Sequence, residues 1–315
     1  MTKAGTDTRR RWLTAVSTLL AALLLLALLR MVDWLSVERS VRNVPAWVWV
    51  CSALGMVASH WLRAGRMRTE WSGKIHMSWP GAWGLLVRHS AWVVLAPMRS
   101  GEAVYVWALH KQGGVPVWDA TASLAKLRLQ DASVLLSLGC LLLLPLPWSL
   151  RVPLALAVLA MAAWATPWLW QRAMLRKKQL ASPHARPPQQ GQKWVSWMYA
   201  IANWPVKLAA LALPLAHVAP LGPSFAMCGV LGGEFGAALP LQPPAGLGPY
   251  EAAVWAGVQL CTAGADVSTQ SLSNLPAAAL VVHLLAILVT VASATVAWAL
   301  GWSSQRFPPL GTEQP

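Results

Sequence analysis

Apolar runs long enough to cross a bilayer decide what this chain can fold into. Residues 277–300 form one such run, interrupted by a single ionisable residue, His283, and residues 13–29 form another. A helix rising about 1.5 Å per residue needs about 20 apolar residues to cross the hydrocarbon. Charged residues make up 11% of the chain and hydrophobic ones 56%, against about 25% charged in soluble domains. Too little polar sequence is left to surround a soluble core of this size. The pattern predicts an all-α polytopic membrane protein, a single membrane domain over 1–315, with full spans at 12–29, 44–62, 117–146, 150–170, 194–217 and 276–302.

A net charge of +14 could suggest nucleic acid, but its distribution excludes that reading. Lys3, Arg9, Arg10 and Arg11 precede the first span; Arg63, Arg66, Arg68 and Lys74 follow the second. Arg172, Arg176, Lys177, Lys178, Arg186 and Lys193 share one linker with no acid. Basic residues beside apolar runs are what the positive-inside rule expects of cytoplasmic segments. The N-terminus and residues 171–193 are therefore expected in the cytoplasm of a bacterial-type inner membrane. The basic start and apolar stretch have the form of a signal peptide, but the stretch ends in Arg30-Met31-Val32-Asp33 with no small-x-small cleavage site, so it reads as a retained anchor.

Two apolar regions, 80–112 and 222–262, are broken near their middles by Pro, Gly and a charge. The breaks read Leu95-Ala-Pro97-Met-Arg99-Ser-Gly101-Glu102 and Pro243-Pro244-Ala-Gly246-Leu-Gly248-Pro249-Tyr250-Glu251. If 63–79 and 171–193 are both cytoplasmic, an even number of crossings separates them. The spans 117–146 and 150–170 supply two, so 80–112 must return to its side of entry, as a re-entrant hairpin or as two full spans. Arms this short favour re-entrance. By the same counting 222–262 is a second re-entrant hairpin entering from the opposite face, and the tail 303–315 is cytoplasmic. The chain then divides into two antiparallel units, 12–146 and 150–302. Both breaks carry Pro-x3-Gly followed by Glu-Ala and then Trp107 or Trp255, which fits an inverted repeat binding substrate where its broken helices meet.

A charge in mid-bilayer costs about 2.5–3.5 kcal/mol and normally faces protein or a wet cavity. Glu102 and Glu251 each open the second arm of a hairpin. They either cap that arm through its positive helix end or line a polar cavity where the tips meet. Arg99 can pair with Glu102, three residues on, or hold a phosphate bidentately. Arg128 and Asp131 share one helix face, as a self-neutralising pair or as substrate contacts, while Lys126 points away and can snorkel. Glu234 and Lys207 rank lower. His60, His89, His217 and His283 have no metal-ligand spacing and read as buried or interfacial. Asp119 is placed to cap the span at 117. Gly222, Gly229, Gly232 and Gly233 make a face suited to close helix packing. Cys51, Cys140, Cys228 and Cys261 lie singly in apolar segments and read as buried thiols, with neither zinc nor disulfides indicated. Trp occurs 21 times, many copies near segment ends (Trp47, Trp71, Trp148, Trp194, Trp197 and Trp298 among them), as in an interfacial belt. No nucleotide-binding, metal or Ser-His-Asp pattern is found, and no cofactor is called for.

In these motifs the chain resembles the flippase-like family that includes the transmembrane region of lysylphosphatidylglycerol synthases. The carrying residues are Pro97-x-Arg99-x-Gly101-Glu102, then Arg128-x-x-Asp131, then Pro244-x-Gly246-x-Gly248-x-x-Glu251-Ala252. Leu127 stands where the family usually has Glu. The resemblance implies lipid handling across the membrane, with Arg99, Gly101, Glu102, Arg128, Asp131, Gly246, Gly248 and Glu251 as substrate-binding residues. It covers a membrane domain without an aminoacyltransferase. The expected function is translocation of a membrane lipid with an anionic or aminoacylated headgroup. The alternative is a membrane enzyme, or a scaffold for a lipid-biosynthesis enzyme, acting on a lipid-linked phosphate.

Overall fold

The computed structural model describes residues 34–96, 99–178, 190–239, 243–262 and 269–309. The expected first span at 12–29, the basic N-terminus and the middle of the basic linker lie outside the described residues. Among the described residues the chain is helical, with ten α-helices and no strand beyond an isolated bridge between Ile75 and Pro309.

Helix α1, Trp34–Asn43, was not expected; it carries an i,i+4 ion pair of Glu38 with Arg42 and ends just ahead of Pro45, which disfavours helix in the residue before it. Five long helices follow the expected spans: α2 Ala46–Trp71, α5 Val117–Leu142, α6 Trp148–Lys178, α7 Gln190–Val218 and α10 Thr269–Ala299. Trp148–Thr166, Trp194–Val218 and Ser271–Ala299 are long and apolar enough to cross a membrane. The other two long helices carry the charges Arg63, Arg66 and Arg68 on α2 and Lys126, Arg128 and Asp131 on α5.

Each broken region is a pair of shorter helices. The first is α3, Trp79–Leu95, and α4, Glu102–Gly113; the second is α8, Pro223–Ala238, and α9, Pro249–Thr262. The Ser78 hydroxyl caps α3 by accepting the Gly81 N–H at 3.1 Å, and Pro223 and Pro249 open their helices, where a missing N–H costs nothing. Helices of 12 to 17 residues reach about 18–26 Å at the α-helical rise, short of the roughly 30 Å of hydrocarbon.

The described residues fall into two compact units. One gathers the chain up to Val57, Val87–Val104 and Lys207–Thr295; the other gathers Ala58–Leu86, Tyr105–Val206 and the chain from Val296 on. In the first unit α8 packs against α9 through the expected glycine face. A Cβ on Gly232 would lie 2.2 Å from the Ala253 carbonyl oxygen, and one on Gly257 would lie 2.4 Å from that of Cys228. Backbones this close leave no room for any side chain at either position.

The same approach overturns the expectation of separate thiols. Cys228 on α8 and Cys261 on α9 form a disulfide with their Cα atoms 6.5 Å apart. Cys140 is free and buried, whereas Cys51 is free and exposed. The tryptophan belt is corrected at two places. Trp47, Trp148, Trp194 and Trp298 are more than half exposed, as expected at a lipid boundary, but Trp71 and Trp197 are buried. Trp71 donates its indole N–H to the Tyr105 hydroxyl at 2.9 Å, so it is a core residue with a polar partner.

Candidate functional site

In the first unit the tips of the two broken regions meet through one side chain. Arg99 lies between α3 and α4; its Nε and Nη2 reach Glu102 Oε1 at 3.0 and 2.9 Å. Its Nη1 donates to the Ala237 carbonyl, in the last turn of α8, at 2.6 Å. A cation there complements the negative end of the helix. Arg99 thus both pairs with Glu102, as its spacing allowed, and ties one tip to the other. Gly101 has a packing role, since a Cβ on it would lie 2.1 Å from the Trp92 carbonyl carbon.

Among the described residues only Arg99 and Ala245 are non-glycine residues with positive φ, at 53° and 61°. One sits at each tip, in a conformation that costs L-residues energy and clusters at functional sites. Ala245 is followed by Gly246 at φ 66° and Gly248 at φ 92°, where glycine turns the chain without that cost.

Glu251, three residues past Gly248, does two things. Its Oε2 accepts the Gly248 N–H at 2.6 Å, the capping contact by which an acid in the first turn satisfies an orphan amide. Its Oε1 lies 2.7 Å from His283 Nδ1 on α10. Glu251 is 3% exposed and His283 9%. The Tyr250 ring stacks on the His283 ring at a centroid distance of 4.2 Å. Its hydroxyl is buried without a hydrogen-bond partner among the described residues. Glu234 on α8 is bound by Lys207 on α7 at 2.6 Å, which joins the two lower-ranked candidates in one pair. Both carboxylates, Glu234 and Glu251, act electrostatically on Tyr250.

The second unit holds a separate polar cluster. Asp131 takes a bidentate pair from Arg66 on α2, with Nη1–Oδ1 at 2.7 Å and Nη2–Oδ2 at 2.8 Å. It also accepts the Trp204 indole N–H from α7 at 3.1 Å. The sequence spacing offered Arg128 as its partner and assigned Arg66 to an orientation stretch; burial at 4% exposure places Arg66 inside instead. Arg128 and Arg63 act on Asp131 through their charges. Lys126 does not snorkel: its ammonium is 2.6 Å from Glu70 Oε2, with both side chains below 10% exposed. On the neighbouring turn of α5, Ser196 of α7 donates to Gln130 at 3.1 Å.

The structure therefore gathers Arg99, Gly101, Glu102, Gly246, Gly248 and Glu251 in one unit and Arg128 with Asp131 in the other. Arg66, Trp204, Tyr250 and His283 join these groups without having been singled out as site residues. Tyr250 lies inside the second broken motif and could have been read from it. The other three come from remote segments and carry no local signal.

No curated protein matches the chain significantly. Residues 14–294 match the family model for the lysylphosphatidylglycerol synthase TM region, which takes in every motif above. With its long apolar helices and a match over most of its length, the chain is a membrane protein and belongs to the lysylphosphatidylglycerol synthase transmembrane-region family.

Proposed function

We propose that the protein is a translocase for a membrane lipid with an anionic or aminoacylated headgroup, and that it handles the headgroup at its two broken-helix tips. The observation that carries this reading is Arg99, which bridges Glu102 on its own hairpin and the Ala237 carbonyl on the other. A guanidinium already desolvated between a carboxylate and a helix end can exchange Glu102 for a headgroup phosphate, keeping a planar two-point contact. Glu102 and the positive ends of α4 and α9 would replace the water lost by the headgroup, joined by the Gly246 and Gly248 N–H groups once they leave the Pro243 carbonyl and Glu251 that now hold them. In the other unit Arg128 would be a headgroup contact in its own right, and Asp131 would become one only on leaving Arg66. The family membership supports lipid as the cargo, since the family is named for a lipid-modifying enzyme's membrane region.

In this account the broken regions are re-entrant and enter from opposite faces. The halves 12–146 and 150–302 are inverted repeats, and both termini and residues 171–193 lie in the cytoplasm of the inner membrane. A lipid-biosynthesis enzyme acting nearby would be its natural partner. The experiment is to identify the lipid that copurifies with the wild-type protein and with the Glu102→Gln, Glu251→Gln double variant. A specific anionic or aminoacylated lipid lost from a folded double variant is the expected result. An unchanged lipid complement assigns the two acids to capping, and chemical turnover of the lipid favours a membrane enzyme.

A further inference from the structure

The Glu251–His283 contact has no counterpart in what lipid binding requires. A capping acid needs only its contact with the Gly248 N–H, and a headgroup ligand would be better left open to the headgroup. Here instead a carboxylate oxygen and an imidazole nitrogen sit 2.7 Å apart, with the two side chains 3% and 11% exposed. A contact this short needs one hydrogen between Oε1 and Nδ1, and surroundings poor in water penalise net charge. On α8, Glu234 is already neutralised by Lys207 of α7 at 2.6 Å. On α9, Tyr250 stacks on His283 with its hydroxyl buried and unpartnered among the described residues. At the opposite tip, Arg99 and Glu102 form a closed pair tied to α8.

We propose that Glu251 and His283 form a proton-loading site that couples lipid movement to a proton. The proposal rests on the translocase reading and adds its energy source. When an anionic headgroup enters the tip region, its charge must be offset. A proton from the aqueous side supplies that offset by binding the dyad, whose charge rises by one. The proton leaves to the other side when the headgroup does, so one positive charge travels with one negative charge and the cycle is electroneutral. Coupling of this kind needs no nucleotide and no metal ion.

The test uses the full chain in vesicles of phosphatidylcholine with a trace of headgroup-labelled phosphatidylglycerol and an internal pH dye. In the wild type, lipid exchange should speed up by about tenfold under a pH difference worth about 1.4 kcal/mol, and the dye should report protons moving with the lipid. In His283→Gln, whatever lipid movement remains should no longer respond to the gradient or move protons. Glu251→Gln should behave the same way. Wild-type exchange indifferent to the gradient overturns the coupling while leaving the translocase reading standing. Coupling that persists in both dyad variants overturns the assignment to this dyad. No exchange in any vesicle sinks the translocase reading and the coupling with it.

Discussion

Replacing Asp131 by Asn should be among the most destabilising single substitutions in the chain. The carboxylate is gripped at both oxygens by Arg66, and the two side chains are only 5% and 11% exposed. Asn keeps an oxygen for the Trp204 indole, so the change removes the charge and little else. What remains is a guanidinium at 4% exposure with its counter-charge gone and with Arg63 and Arg128 adding to the positive field. Stripping one partner from a buried pair costs about 3–5 kcal/mol. Replacing both partners by apolar residues of similar volume, Arg66→Met with Asp131→Leu, should recover stability to within about 1 kcal/mol of wild type, because neither charge of the pair is then left without its partner. Reversible unfolding by a denaturing detergent, read through tryptophan fluorescence, measures both. A loss below about 1 kcal/mol in Asp131→Asn, the value expected of an exposed pair, would refute the burial argument. So would a double variant no more stable than the single one.

Three further outcomes follow from the same geometry. Gly232→Val should prevent α8 and α9 from packing, because even a Cβ there lies 2.2 Å from the Ala253 oxygen, and the Cys228–Cys261 bond should fail to form in the variant. In a Cys51→Ala, Cys140→Ala background, maleimide should label the denatured protein only after reduction, and labelling without reductant would contradict the disulfide. Trp298→Ala, at a side chain 75% exposed, should change stability by less than about 0.5 kcal/mol, whereas Trp71→Phe, which removes the indole donor from the Tyr105 hydroxyl but leaves that hydroxyl its Ser123 contact, should cost about 0.5–1.5 kcal/mol.

The long helices and the two broken regions were legible because hydropathy and Pro/Gly punctuation are local signals. The helix ends at Leu95, Glu102 and Pro249 fall within the breaks that were read, whereas α8 ends at Ala238, ahead of Pro243. The close packing of α8 on α9 was legible too, in the spacing of its glycines. What was not legible is which polar groups pair across helices. Arg66 and Asp131 are 65 positions apart and Glu251 and His283 are 32 apart. Nothing near Arg66 distinguishes an ion-pairing arginine from one that sets membrane orientation. The cysteines failed for a related reason: each looks like an ordinary buried thiol until the glycine face brings the two helix backbones into contact. Trp71 failed because belt tryptophans and core tryptophans have the same local surroundings, and only Tyr105 on another helix tells them apart.

The most direct test of the account is lipid exchange between leaflets in vesicles containing the purified protein. Fluorescent phosphatidylglycerol in both leaflets is quenched from outside by a membrane-impermeant reductant. Wild-type protein should expose the inner-leaflet lipid to the quencher, and Arg99→Lys should slow that phase by about tenfold while remaining folded. Quenching that stops at the outer leaflet, as in protein-free vesicles, would contradict the claim that these broken helices move lipid.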